Sequence, residues 1–326
     1  MRGQAPKALR WKRLEQRYRA HHQCVTDLLA LLRKHHIVQF SCVNRVDLDR
    51  QHLSGVDLMV AVGGDGTVLS SAHFVDHGTI PVLGINSDPN KSGEDTQVNK
   101  KKSDERRSHG ALCMFTAEDM EDGLQRVLYG GGNLQKRTRL RCKVKSTFSE
   151  TQLVPALNDL LIANPSPAAV SRYRMGWMTK LDENRSPEEE HEHERLYGTV
   201  TRFGGKSYDV YNSLNVWSSG MWVCTATGAT AAMAAAGGMP MPNLEDDSTQ
   251  YLIREHMRER GTASEDFPDN GMMENGQQLH IRWNSQTGRI FVDGSHLTHH
   301  LELGDEIMID NKAPPLQLYT RHFDDD

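Results

Sequence analysis

The stretch LMVAVGGDGTVLSSAHF, residues 58–74, decides the fold. An apolar run stops at Gly63 and Gly64, a single acid follows at Asp65, then Gly66 and Thr67, and then an apolar pattern at helical spacing. Residues 56–62 read as a buried strand, because the run is continuous rather than alternating, as in a parallel strand covered on both faces. Residues 67–77 read as the helix that follows. The carboxyl edge of such a strand opens on a crevice where ligands of open α/β sheets bind. Glycines there let the chain turn and let a ligand approach, and the helix start offers free N–H groups and a positive dipole end to an anion. Gly63, Gly64 and Gly66 therefore suit phosphates, and Asp65 can take a proton from a hydroxyl nucleophile or hold Mg²⁺. A plain strand–helix turn uses the same residue types, and local physics does not choose between the two.

Working outward, residues 12–34 read as a helix, "TIPVLGIN" at 79–86 as a second buried strand, and 116–129 as another helix. Strand, helix, strand with short links is an open parallel sheet. Residues 88–109 lack large apolar side chains and read as a solvated loop with a basic cluster, Lys100 to Lys102 with Arg106 and Arg107. From about residue 134 the period changes to two: "TRLRCKVKS", "LHIRW", "RIFVDG" and "LELGDEIMID" alternate. The expected architecture is an α/β domain over 1–130, with a tail at 305–326 packing back on it, and a β-rich sandwich over 131–304. An acidic, polar stretch near 180–208 reads as a disordered insertion. Its His191 and His193 alternate among glutamates and make a poor preformed metal site.

Composition narrows the class. The 326 residues carry a formal charge of -5, which argues against general nucleic-acid binding. No apolar run reaches the length of about 18 residues that a spanning helix needs. Five scattered cysteines without a CxxC pattern speak against a disulfide framework or zinc site and for free thiols in a reducing compartment. The expected location is the cytoplasm, with a peroxisomal or mitochondrial one as the alternative.

Four segments in order carry a resemblance: "GGDGT"; "LNDLLIAN" at 157–164; "CTATGATAAMAAAGG" at 224–238; and "FVDG" at 291–294. Together they resemble the NAD kinase family. "LGINSDP", "SHGALC", "NPSPAAVSRYR" and "SSG" at 218–220 are similar to the plant NADH kinases, related to the animal mitochondrial NAD kinases. The resemblance implies transfer of the γ-phosphoryl of ATP, with Mg²⁺, to the 2′-hydroxyl on the adenosine ribose of NADH or NAD⁺, with NADH favoured. It implies self-association as a homodimer or homotetramer, with small-molecule nucleotides as the only other partners. It also implies a strand ahead of the first helix, and "GQAPKALR" reads poorly as one, so that strand is either missing or supplied upstream. A lipid kinase shares GGDGT, and a catalytically silent dinucleotide sensor would share the rest; both are alternatives.

Residue by residue, the resemblance makes Asp65 the base. The dinucleotide falls to Gly63, Gly64, Gly66, Thr67, Asn158, Asp159, Ser219, Thr225, Thr227, Gly228, Thr230, Ala231, Ala232, Met233, Ala234 and Ala235, with no protein metal site. Thr230 reads as the cap of an Ala-rich helix, whose start suits a pyrophosphate. Asp159 stands where the family has Glu, Ala226 where it has Pro, and Ala232 where it has Tyr. Ser219 stands where most members carry Asp beside the nicotinamide, so a lost negative charge there would ease use of neutral NADH. Asp293 receives no role, since a β-turn aspartate reads the same.

Overall fold

The computed structural model describes residues 11–89, 110–181, 200–258 and 268–321. The expected basic cluster, residues 182–199 of the acidic insertion and the ten residues before the first helix lie outside the described residues. In chain order come helix α1 (Trp11–Lys34), strand β1 (Met59–Gly63), helix α2 (Asp65–Ala72), strands β2 (Val82–Asn86) and β3 (Phe115–Thr116), helix α3 (Met120–Leu128) and strand β4 (Asn133–Arg137). Then follow β5 (Arg141–Lys145), β6 (Glu150–Gln152), β7 (Asp159–Ala163), β8 (Ser171–Lys180), β9 (Val200–Phe203), β10 (Lys206–Ser218) and β11 (Gly220–Thr225). Helix α4 (Ala232–Ala235) leads to β12 (Thr249–Arg254), β13 (Asn270–Met273), β14 (Gln278–Trp283), β15 (Thr287–Val292), β16 (Leu297–Glu302), β17 (Glu306–Asp310) and β18 (Leu316–Thr320). No described helix is long and apolar enough to cross a membrane.

The chain divides into two compact units, Met1–Lys136 with Leu316–Asp326, and Arg137–Pro315. The first is an α/β unit. Strand β2 sits centrally, parallel to β1, β3 and β18, and all five of its residues are buried. Leu83 and Ile85 face α1 and α3, packing with Cys24, Leu28, Leu124 and Val127. On the other face Gly84 meets Val68 of α2, and a Cβ at Gly84 would lie 2.8 Å from Val68 Cγ2. Cover on both faces is why this strand reads as an unbroken apolar run.

The second unit is a β-sandwich. A seven-stranded sheet, β6-β5-β17-β14-β8-β10-β9, lies against a six-stranded one, β13-β12-β11-β7-β15-β16. Alternate residues of both fill one core, among them Leu160, Ile162, Val223 and Ile290 from one sheet and Cys142, Tyr173, Ile281, Trp283 and Ile309 from the other. This is the period-two pattern of half-buried strands. The boundary near the C-terminus falls inside the expected tail: β17 belongs to the sandwich, and β18 to the α/β sheet.

The expected insertion is also shorter than its composition suggested, because Val200–Phe203 and Lys206–Ser218 are strands. Thr201, Phe203, Tyr208 and Val210 are buried, which a disordered segment could not achieve. The pairing of β10 with β8 shifts between Tyr211 and Leu214, where Asn212 takes φ +46°. Such a bulge bends a ribbon. The seven-stranded sheet curls until its edges meet: the Gly204 N–H, in the turn after β9, donates to Glu150 of β6 at 2.6 Å.

A buried carboxylate ties this sheet together. Asp310, fully buried on β17, accepts from Arg141 Nε (2.9 Å) and Nη2 (2.5 Å), from Gln278 Nε2 (2.8 Å) and from the Lys312 N–H (3.0 Å). Removing one member of a buried ion pair leaves the other uncompensated. Asp310→Ala is expected to cost the sandwich about 3 kcal/mol of unfolding free energy. Urea unfolding followed by Trp fluorescence measures this; a loss under about 1 kcal/mol, the scale of an exposed pair, would refute it.

Candidate active site

In the α/β unit the site residues lie on the strand ends. Helix α2 starts at Asp65, two residues earlier than the sequence suggested, with Gly64 at its N-cap and no side-chain cap. No Ser, Thr, Asn or Asp stands at the N-cap to mark that start, and the tight turn hides it. Asp65 is therefore the first helical residue, where the helix dipole favours a negative charge. Its carboxylate accepts the Gly110 N–H through Oδ2 (3.1 Å) and the Leu112 N–H through Oδ1 (2.8 Å). These two bonds orient it at the carboxyl edge of β1.

The glycines do different work. Gly63 has φ +156°, and a Cβ there would lie 2.2 Å from Thr67 Oγ1. Thr67 therefore packs over Gly63, which explains the four-residue spacing of the pair. Gly66 is exposed, with open space where a side chain would be. The same strand ends carry residues that the sequence did not single out. Ser87 donates its N–H to the Gly63 carbonyl (3.2 Å). His21 Nδ1 of α1 lies 3.0 Å from Ser87 Oγ, and Arg17 Nε lies 3.2 Å from Asp88 Oδ2.

In the sandwich, Asn158 and Asp159 enter β7, and the residues from Thr225 onward leave its neighbour β11. Thr225 stitches the two together. Its Oγ1 donates to the Leu157 carbonyl (2.6 Å) and accepts the Gly228 N–H (3.2 Å), while its own N–H reaches the Asn158 carbonyl (3.0 Å). Gly228 lies so close that a Cβ would fall 2.0 Å from the Asn158 carbonyl oxygen, so only glycine fits. Thr227 Oγ1 is buried without a partner among the described residues, a polar atom open to a ligand or water.

The Ala-rich segment departs from expectation. Thr230 does not cap the helix: its hydroxyl reaches back to the Thr227 carbonyl (3.5 Å), and the N-cap is Ala231, which has no capping side chain. Ala231 has φ -95° and ψ -128°, which breaks the helical path after Thr230. The helix that follows spans only four residues, too few for a useful dipole at a pyrophosphate. Met233 is fully buried with Cys224, Ala226, Met241 and Leu252, so its side chain belongs to the core. Ala231, Ala232, Ala234 and Ala235 are exposed.

Two acids that the sequence left without a role stand at this half-site. Asp293, in the turn after β15, is buried at φ +49°. Its carboxylate accepts three backbone N–H groups, from Leu157 (2.8 Å), Asn158 (2.7 Å) and Asp159 (3.0 Å). Burial, and then the charge of Asp293, push the Asp159 carboxyl up to about 7. At the other end of β11, the Ser219 hydroxyl donates to the Glu255 carboxylate. Glu255 follows β12 at φ +42°, a conformation that turns its side chain beside Ser219. A carboxylate thus stands beside Ser219, supplied by a residue 36 positions away, and Arg254 Nε lies 3.8 Å from the same oxygen, so the charge there is shared with a cation.

Residues 11–91 match the family described as the ATP-NAD kinase N-terminal domain. Over 313 residues the chain is 33% identical to a probable NADH kinase of Oryza sativa, covering 96% of this chain and 85% of the relative. It is 35% identical over 309 residues to an NADH kinase of Arabidopsis thaliana, covering 95% and 86%. Its fold is similar to that of yeast NADH kinase complexed with NADH, with a TM-score of 0.59 and 18% identity over 85% of this chain and 66% of that one. The chain therefore belongs to the NAD kinase family, the ATP-dependent kinases of NAD(H).

Proposed function

We propose that the protein transfers the γ-phosphoryl of ATP to the 2′-hydroxyl on the adenosine ribose of NADH, and less readily of NAD⁺, giving NADPH and NADP⁺. The observation that carries the reading is Asp65, fixed at the carboxyl edge of β1 by the Gly110 and Leu112 N–H groups. A secondary hydroxyl must lose its proton as the new P–O bond forms, and a positioned carboxylate accepts it. Exposed Gly66 beside it admits the sugar. Asn158 and Asp159 make polar contacts to the dinucleotide, and Thr227 Oγ1 offers a further one. The protein chiefly positions the reacting groups. Mg²⁺ would neutralise the triphosphate, with phosphate oxygens and water supplying most of its ligands. Self-association as a homodimer or homotetramer belongs to the same reading, and sedimentation would test it.

Asp65→Asn is expected to lower kcat by about 10²–10⁴-fold with little change in KM for NADH. A coupled assay for NADPH and NADP⁺ formation from ATP measures both. Near-normal kcat in a folded variant removes Asp65 from the role of base.

The preference between NADH and NAD⁺ follows the charge around Ser219. Because Glu255 is mostly exposed there, its effect is screened and modest. Glu255→Gln is expected to raise the NADH-to-NAD⁺ ratio of kcat/KM about two- to fivefold, and Ser219→Asp to lower it. Both ratios staying at the wild-type value would show that this place does not meet the nicotinamide.

A further inference from the structure

Asp293 and Asp159 are neighbouring acids with opposite surroundings. Asp293 collects three backbone N–H groups, the donor set that stabilises a carboxylate anion. The Asp159 carboxyl receives no hydrogen bond from any described residue, although its own N–H is given to Asp293 and its carbonyl accepts the Asp293 N–H (3.0 Å). The titratable groups that face it are Asp293, from the turn after β15, and Cys224, its cross-strand partner on β11. Burial, and then Asp159, push the Cys224 thiol up to about 12, so it is neutral at ordinary pH. No Lys, Arg or His among the described residues pairs with Asp159. Burial of Asp159, and then the Asp293 carboxylate that the three N–H groups hold beside it, both disfavour a charge on Asp159.

We propose that Asp293 is the positioning residue of the dinucleotide half-site: it fixes the Leu157–Asp159 backbone through three N–H bonds and, its charge adding to the burial of Asp159, keeps Asp159 as a neutral carboxyl that donates a hydrogen bond to an acceptor oxygen of the bound dinucleotide that carries no proton of its own. This deepens the kinase reading and rests on it. A neutral acid is a donor, whereas a carboxylate in the same place only accepts. It also spares the site a second buried charge, which would be costly without a cation. The reversed assignment, with Asp159 charged, would leave three converging N–H groups aimed at a neutral acid.

The sign of the pH dependence follows. Asp159 is protonated below about 7 and ionised above it. The Kd for NADH is therefore flat at lower pH and rises as pH passes about 7, by up to tenfold per unit. NADH fluorescence titration without ATP, over pH 6–9, reads this directly. In Asp159→Asn the step is expected to vanish, whatever the Kd itself. In Asp293→Asn, which lacks the neighbouring charge, it should move to lower pH by about one unit or more. A flat wild-type profile overturns the inference, as does a step that persists in Asp159→Asn. A step left in place in Asp293→Asn, with binding weakened equally at every pH, would make Asp293 a purely structural residue and likewise overturn it. Should Asp293→Asn fail to fold, the Asp159→Asn profile decides. A wild type that neither binds NADH nor makes NADPH sinks the kinase reading; one that makes NADPH with a flat Kd profile sinks this inference alone.

Discussion

In each unit a short carboxylate gathers backbone N–H groups from a distant segment, and the rest of the candidate site depends on these collections. Asp65 takes Gly110 and Leu112, 45 and 47 residues away. Asp293 takes Leu157, Asn158 and Asp159 across more than 130 residues. Loop ends and strand starts leave N–H groups that no ladder satisfies, and a buried one left alone is costly. An aspartate answers several at once because an ionised carboxylate offers about four lone-pair sites. The cost of burying its charge is offset by the same bonds, which are stronger for being charge-assisted. A loop is thereby held at a fixed place beside the catalytic candidates without a helix or sheet of its own.

The glycines then set how near two backbones come. At Gly228 a Cβ would collide with the Asn158 carbonyl, and at Gly63 with the Thr67 side chain. The first contact joins the segment leaving β11 to the start of β7, and the second tightens the turn from β1 into α2. Gly66, by contrast, touches nothing that a Cβ would strike. Its value lies toward the open side, where a ligand would approach. Three glycines that look alike in the sequence thus divide into two that serve packing and one that serves access.

The parts legible in the sequence are those governed by local period and local turn chemistry. The unbroken run of "VLGIN" reports a strand covered on both faces, whereas β1, at the end of the described strand order, alternates buried with half-buried residues although its run before Gly63 is equally apolar; "RCKVK" reports a strand with one wetter face. Helix ends were less legible because their signals compete. Thr230 is a good capping residue, yet the backbone breaks at Ala231, and the hydroxyl turns to the Thr227 carbonyl instead. Residues 200–208 share the polar composition of the acidic stretch before them, although Thr201, Phe203, Tyr208 and Val210 carry the alternation that β9 and β10 need. Asp293 is visible in "FVDG" only as a turn aspartate, and Glu255 not at all, since their partners are set by cross-strand register rather than by neighbours in the chain. The one local hint at Glu255 and Asp293 is a left-handed backbone at a residue that is not glycine, and only coordinates reveal it.

The Ala-rich segment shifts where binding energy must come from. Where the family resemblance implies a tyrosine, Ala232 stands exposed among Ala231, Ala234 and Ala235. Methyl groups offer shape and little else: they provide neither the ring contact nor the hydroxyl of a tyrosine, an aromatic contact being worth about 0.5–1.5 kcal/mol beyond its area. The four-residue helix there supplies no compensating dipole. On the proposed reading, a dinucleotide held by this half-site relies on directional polar contacts, on Asn158, Asp159 and the buried Thr227 hydroxyl. Such contacts are sensitive to protonation in a way that stacking is not, because a neutral acid donates to an oxygen that can only accept, whereas its carboxylate repels it. With the aromatic contact absent, the state of one buried proton on Asp159 weighs more heavily on binding than it would beside a stacked ring. Asp293, which decides where the negative charge rests, then governs ligand affinity from behind the ligating residues.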